Sequence, residues 1–170
     1  MQFQPKSISR EGIPAALEKA NRYRLLNDPE AAESICLDVL AADPDNQTAL
    51  VTQVLAISDQ LAAGRDLSVH VRRAQGLLND VRDEYKRAYY RGIVSERHAM
   101  ALLRSEAPMS GSIAYDALRS AMESFERAEA LRPAGNDEAI LRWNTCARVL
   151  ARHPALEPTR PEAYEPSFDS

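Results

Sequence analysis

The chain has 170 residues, 45% of them apolar and 27% charged, with a formal net charge of −4. That is long enough to bury one core and too apolar for a disordered polypeptide. Residues 154–170 hold Glu157, Glu162, Glu165 and Asp169 against Arg160, leaving the rest of the chain near neutral, so no overall field draws in nucleic acid or an anionic membrane. Aromatics are scarce and Ala and Leu plentiful, which favours helix over sheet. Cys36 and Cys146 fall on apolar helical positions, the pattern of reduced core thiols and not of a disulfide framework or metal site. The stretch Met1–Ser7 carries no apolar signal-like run, and no segment approaches the about eighteen continuous apolar residues of a membrane span. The expectation is a soluble, cytoplasmic protein.

Residues 1–12 show no periodic pattern and are expected to be loosely ordered. Pro14 suits the first turn of a helix, where its missing N–H costs nothing, and the spacing of Ala16, Leu17, Ala20 and Tyr23 predicts a helix to about Leu26. Asn27-Asp28-Pro29 is a break in which Asp28 caps and Pro29 opens the second helix. That helix runs to about Ala42, burying Ala32, Ile35, Cys36, Val39 and Leu40 before Asp43-Pro44-Asp45-Asn46 stops it. A third, from about Gln47, carries Leu50, Val51, Val54, Leu55 and Ile57 and ends near Gly64, a left-handed cap. Asp66 starts a fourth with Ala74, Leu78 and Val81, and its boundary with the fifth, near Asp80–Asp83, has no proline to mark it. The fifth spans roughly 83–105 and includes Ala88, Tyr89, Gly92 and Ile93. Ala107–Ser112 reads as a loop, 113–131 as the sixth helix, Pro133–Asn136 as a break, and 137–152 as the seventh. From Pro154 four prolines fall among acids with no apolar period, and the segment 154–170 is expected to be a disordered tail.

Two stretches about ninety residues apart share one spacing. Ala121, Phe125, Ala128 and Pro133 repeat the gaps of four, three and five seen in Ala32, Cys36, Val39 and Pro44. Small, large, small, stop is the mark of a structural unit used more than once. With Ala20 and Tyr23 ahead of it, the first unit resembles a tetratricopeptide repeat in residue order and distance, although Cys36 stands where a large aromatic is usual. Gly92 precedes the second good half at a separation longer than the usual repeat of roughly 34 residues. Between them Val54, Ile57, Ala74, Leu78 and Val81 form a degenerate unit. The resemblance covers residues 13–153 and implies an all-α, right-handed α-α superhelix of about three helical hairpins plus a C-terminal capping helix.

Signals for chemistry are absent. There is neither a Gly-rich dinucleotide turn nor a phosphate loop, and His70, His98 and His153 lie on separate helices without a second ligand at helical spacing. No nucleophile elbow occurs, so no catalytic residue, cofactor or metal is assigned. Lys86-Arg87-Ala88-Tyr89-Tyr90-Arg91 interleaves bases with rings, as single-strand binders do. Its spacing with Tyr85 and Ile93, however, puts a ring in the core and leaves the charges to solvate the helix.

The resemblance also implies where a partner would sit, since the first helix of each tetratricopeptide hairpin lines a concave groove. Carried over by position, the lining is Asn21 and Arg24, then Val51 and Leu55, then Lys86, Tyr89, Ile93 and Arg97, with Leu141 and Arg148 from the last helix. Leu17 and Ser58 stand beside them. Apolar anchors mixed with bases suit a protein segment that carries acids, and the expected function is a non-enzymatic scaffold or adaptor. The chaperone-binding members clamp a terminal carboxylate with five residues. Asn21 and Lys86 match two of these positions, but Leu17, Thr52 and Tyr90 fill the others, so that clamp is not expected. The tail itself, with its acids, Tyr164 and Phe168, has a composition the groove would accept. The alternative is a structural subunit that works by homo-oligomerisation, and behind it a single-stranded nucleic-acid binder.

Overall fold

The computed structural model describes residues 3–159, and among them the regular structure is wholly helical. Seven α-helices follow one another: α1 Ile13–Leu25, α2 Pro29–Ala42, α3 Gln47–Asp59, α4 Leu67–Leu78, α5 Glu84–Leu103, α6 Ser110–Leu131 and α7 Glu138–Arg152. Short 3-10 turns precede α1 (Arg10–Gly12) and follow α3 (Gln60–Ala63).

Local chemistry sets most of the boundaries. Asp28 accepts from the Ala31 N–H with Pro29 at the first helical position, and Asn46 and Asp83 accept from the Ala49 and Lys86 N–H groups. Each cap satisfies a donor that the helix start would otherwise leave unpaired. Gly64 ends the turn after α3 at φ +72°, a conformation that costs glycine little. The unmarked boundary between α4 and α5 is held from a distance. The Gln47 side chain donates to the Asp80 carbonyl at 3.3 Å and accepts from the Arg82 N–H at 2.8 Å, while Val81 between them is buried. The start of α6 differs from the sequence expectation: Ser110–Ser112 are helical, not loop. The Ser110 hydroxyl donates back to the Ser105 carbonyl, and Gly111 lies against the Leu156 side chain.

Each helix packs against its neighbours in sequence, and α3 also packs on both α1 and α5. Burial follows from that arrangement. Five consecutive residues of α5, Gly92 to Glu96, are buried, and α3 hides residues on all sides except a stripe of Thr48, Val51, Leu55 and Asp59. A helix covered on most faces is an interior element. The stripe leaves α1, α3 and α5 side by side in a row.

The expected small–large pairs meet in the core. Ala20, Ala32 and Cys36 share one buried cluster with Ala56. Gly92 faces Phe125, so closely that a Cβ there would lie 2.5–2.8 Å from the ring. Phe125, Ala121 and Ala128 join Ala139, Cys146 and Val149 of α7 in the largest cluster.

Ahead of α1, Ile8 packs against the cluster of Ile13, Val39 and Ala49. After α7 the chain turns back along α6, with Leu156 on the core and the Thr159 N–H donating to Asp116 Oδ2 at 3.4 Å. The rest of the expected tail, 160–170, lies outside the described residues, as do residues 1–2. No described helix is long and apolar enough to cross a membrane.

Candidate functional site

The row α1–α3–α5 is organised around one carboxylate. Asp59, at the end of the open stripe of α3, accepts from Arg24 Nε of α1 at 2.7 Å and from Arg97 Nη1 of α5 at 2.9 Å. Arg97 also donates to the Leu55 carbonyl at 3.3 Å and to the Ser58 hydroxyl. The three charged side chains are 18–28% exposed, so water screens the bridge only partly. Burial pushes the Arg97 guanidinium below its ordinary value, and Asp59 pulls it back up. Asp59 lines two openings: a cleft of about 630 Å³ bounded by Asn27–Glu30, Gln60 and His70, and a recess of about 210 Å³ shared with Arg97, Met100 and Arg104.

Aromatic rings continue the row along α5. Tyr85 stacks on Tyr89 at 5.8 Å, Tyr89 meets Tyr90 edge-on at 5.2 Å, and Tyr89 tilts against Phe125 at 5.9 Å. The Tyr85 hydroxyl accepts from Asn136 at 3.0 Å. Burial raises the Tyr90 phenol above its ordinary value. These are the rings interleaved with Lys86, Arg87 and Arg91, and they are engaged inside the molecule.

A second buried charge lies one residue from Arg97. Glu96 is 7% exposed, and Arg142 of α7 donates to its Oε1 at 3.3 Å. Its Oε2 has no hydrogen-bond partner among the described residues. Burial raises this carboxyl above the usual range, against the opposing pull of Arg142 and Arg97.

Among the residues expected from the sequence, Arg24, Leu55 and Arg97 come together, with Val51 beside them on the same stripe and Tyr89 and Lys86 farther along α5. Asn21 is exposed on α1, three residues before Arg24. Ile93 requires correction: it is 3% exposed, drawn into the core where Gly92 lets α5 close on α6, and lines no groove. Leu141 and Arg148 also fall elsewhere. They share the solvent face of α7, whose other side packs Cys146, Val149 and Trp143 into the core. Two other α7 side chains reach α5: Arg142, one position from the expected Leu141, donates to Glu96, and Glu138 accepts from the Tyr85 hydroxyl at 3.4 Å.

Asp59 was not among the expected residues, although it lies four positions past Leu55 on the same helical line. Continuing that spacing would have found it. The two thiols are buried, which raises Cys36 to about 11 and Cys146 to about 12. Neither therefore presents a ready thiolate. No group of three or more His, Cys, Asp or Glu side chains among the described residues could hold a metal ion.

Compared with family models, with curated proteins and with solved structures, the chain matches none.

Proposed function

We propose that this chain is a non-enzymatic, tetratricopeptide-like scaffold that binds a segment of a partner protein across the face of α1, α3 and α5. The observation that carries the reading is the bridge in which one half-buried carboxylate, Asp59, holds arginines from two neighbouring helices at the junction of two clefts. Three helices are thereby fixed side by side with Val51 and Leu55 half-open between them. Such a face offers apolar anchors flanked by oriented donors, the arrangement used to hold an extended or helical peptide. The small–large spacing shared by the first and third hairpins supports the repeat architecture.

The test is site-specific photo-crosslinking in extract from the source cells. A benzophenone side chain replaces Asn21 or Lys86 on the row, or Arg72 on α4, all three exposed. The proposal expects adducts with one partner from the first two positions and not from the third. Adducts from Arg72 alone, or from no position, would overturn it.

Self-association is the second reading, and the ends of the helix array favour it. Leu141 on α7 is 63% exposed, and Leu25 and Leu26 after α1 are 88% and 69% exposed. Repeat arrays bury such end faces by capping or by stacking. Light scattering of the wild type and of Leu141→Glu decides it: a concentration-dependent mass that falls to the monomer in the variant supports this reading, and a monomer throughout removes it.

A further inference from the structure

On another face of α5 lies a cleft of about 220 Å³, lined by Glu84, Arg87 and Arg91 of α5 and by Ser124, Arg127 and Leu131 of α6. Three guanidinium groups thus face one carboxylate. Arg87 donates to the Val81 carbonyl at 3.0 Å and the Arg82 carbonyl at 3.2 Å, which fixes its head at the wall. Arg91 and Arg127 make no hydrogen bond or ion pair with any described residue. Like charges at i and i+4, as at Arg87 and Arg91, work against the helix that carries them. A bound carboxylate would relieve that repulsion and accept from the paired forks.

The path of the chain after α7 says what supplies the carboxylate. Leu156 lies on Gly111, and Thr159 bonds to Asp116. Three residues of this segment therefore advance five along α6, toward its C-terminal end. Asp116 and Arg127 are eleven residues apart, which on an α-helix is the same face to within about 20° and a rise of about 16 Å. An extended chain continuing from Thr159 along this face would cover that distance in about five residues at roughly 3.3 Å each, a reach that corresponds to Tyr164 and Glu165 in the sequence. The stretch beyond Thr159 carries Glu162 and Glu165.

We propose that the α5–α6 arginine cleft is a carboxylate-binding site whose occupant is the Glu162–Glu165 stretch of the same chain, carried to it along the exposed face of α6. The contact straps the last helix pair from outside and keeps the cleft from other acidic segments. It uses a different face of α5 from the Arg24–Asp59–Arg97 row and does not depend on that reading.

The test measures one distance in the full chain. Nitroxides on Ala163→Cys and Ala130→Cys report the separation by pulsed electron resonance, and the native cysteines are buried. The expected result is a dominant short-distance population that does not change with protein concentration. Replacing Arg127, which is exposed, by Glu, alone or with Arg91→Glu, should deplete it by roughly tenfold per lost charge-assisted contact. Adding Glu162→Arg and Glu165→Arg should restore it. A broad distribution in the unaltered chain, or a short one indifferent to Arg127→Glu, would overturn the proposal. So would a short distance that appears only at high concentration, which would give the cleft to a second copy.

Discussion

The first and third hairpins apply one spacing rule at two scales. In α1–α2 the close approach is made by Ala20 and Ala32, with Cys36 as the larger member. In α5–α6 it is made by Gly92 and Ala121, with the whole ring of Phe125 seated where a glycine Cβ would be. The smaller the residue on the first helix, the larger the one the second can place against it. The longer hairpin, 20 and 22 residues against 13 and 14, builds the largest buried cluster around that ring. The shorter one contributes a smaller apolar cluster and, through Arg24, a polar link to α3. The Asp59 bridge links both hairpins to α3, through Arg24 of α1 and Arg97 of α5, while the larger share of apolar packing lies in the longer hairpin.

Removing the ring should have the largest effect. Phe125→Ala empties a site that is 1% exposed and should cost about 3–5 kcal/mol, read as a shift of the denaturation midpoint at constant slope. Next come the mirror substitutions. Gly92→Ala should destabilise by about 1–3 kcal/mol through overpacking against Phe125, although alanine is otherwise the better helix former. Cys36→Phe should cost a similar amount in the first hairpin, and pairing it with Ala20→Gly should recover part of the loss. If Gly92→Ala stabilises the protein, the size rule fails. At the bridge, Asp59→Ala leaves Arg24 and Arg97 partly buried without their carboxylate and should cost roughly 1–3 kcal/mol. In a double-mutant cycle that cost should couple to Arg97→Ala, not to Phe125→Ala.

Two smaller effects probe burial itself. Cys36 and Cys146, raised to about 11 and about 12, belong to opposite ends of the molecule. Both should react with an aromatic disulfide reagent only as fast as the chain opens, and at once in denaturant. Rapid modification of either in the native protein would mean that its cluster is looser than described. Glu96 sets a pH dependence. Its native value is raised, so as pH climbs through the ordinary glutamate range the unfolded chain loses this proton first. The native state then holds more protons, and this group's contribution to stability falls until the native carboxyl has also ionised. Measured against Glu96→Gln, the wild type should lose stability over that window. A gain would mean that Arg142 outweighs burial.

How much of this was legible in the sequence follows from the range of each interaction. Asn46, expected only as part of the stop after α2, caps α3, while helix ends written in adjacent residues, such as Asp28-Pro29 and Gly64, lie close to where capping chemistry placed them. So do the core positions at helical period. The turn between α4 and α5 was ambiguous because Gln47, more than thirty residues away, holds it. The row was legible as a face and not as a network. Val51 and Leu55 were placed there by the tetratricopeptide resemblance, carried over by position, but Asp59 meets its arginines across 35 and 38 residues, and nothing local marks such a pairing. Ile93 was misplaced because the closeness of α5 and α6 depends on Gly92 and Phe125 jointly. Leu141 stood in for Arg142 because one position turns a helix by about 100°.

The measurement that tests the central claim most directly is the amide chemical-shift map of the full chain, titrated with the peptide its crosslinks identify. The account predicts the largest shifts at Arg24, Leu55, Asp59 and Arg97, with α2, α4 and α6 little changed. Shifts centred on those outer helices, or saturable binding that leaves the Asp59 bridge unmoved, would contradict it.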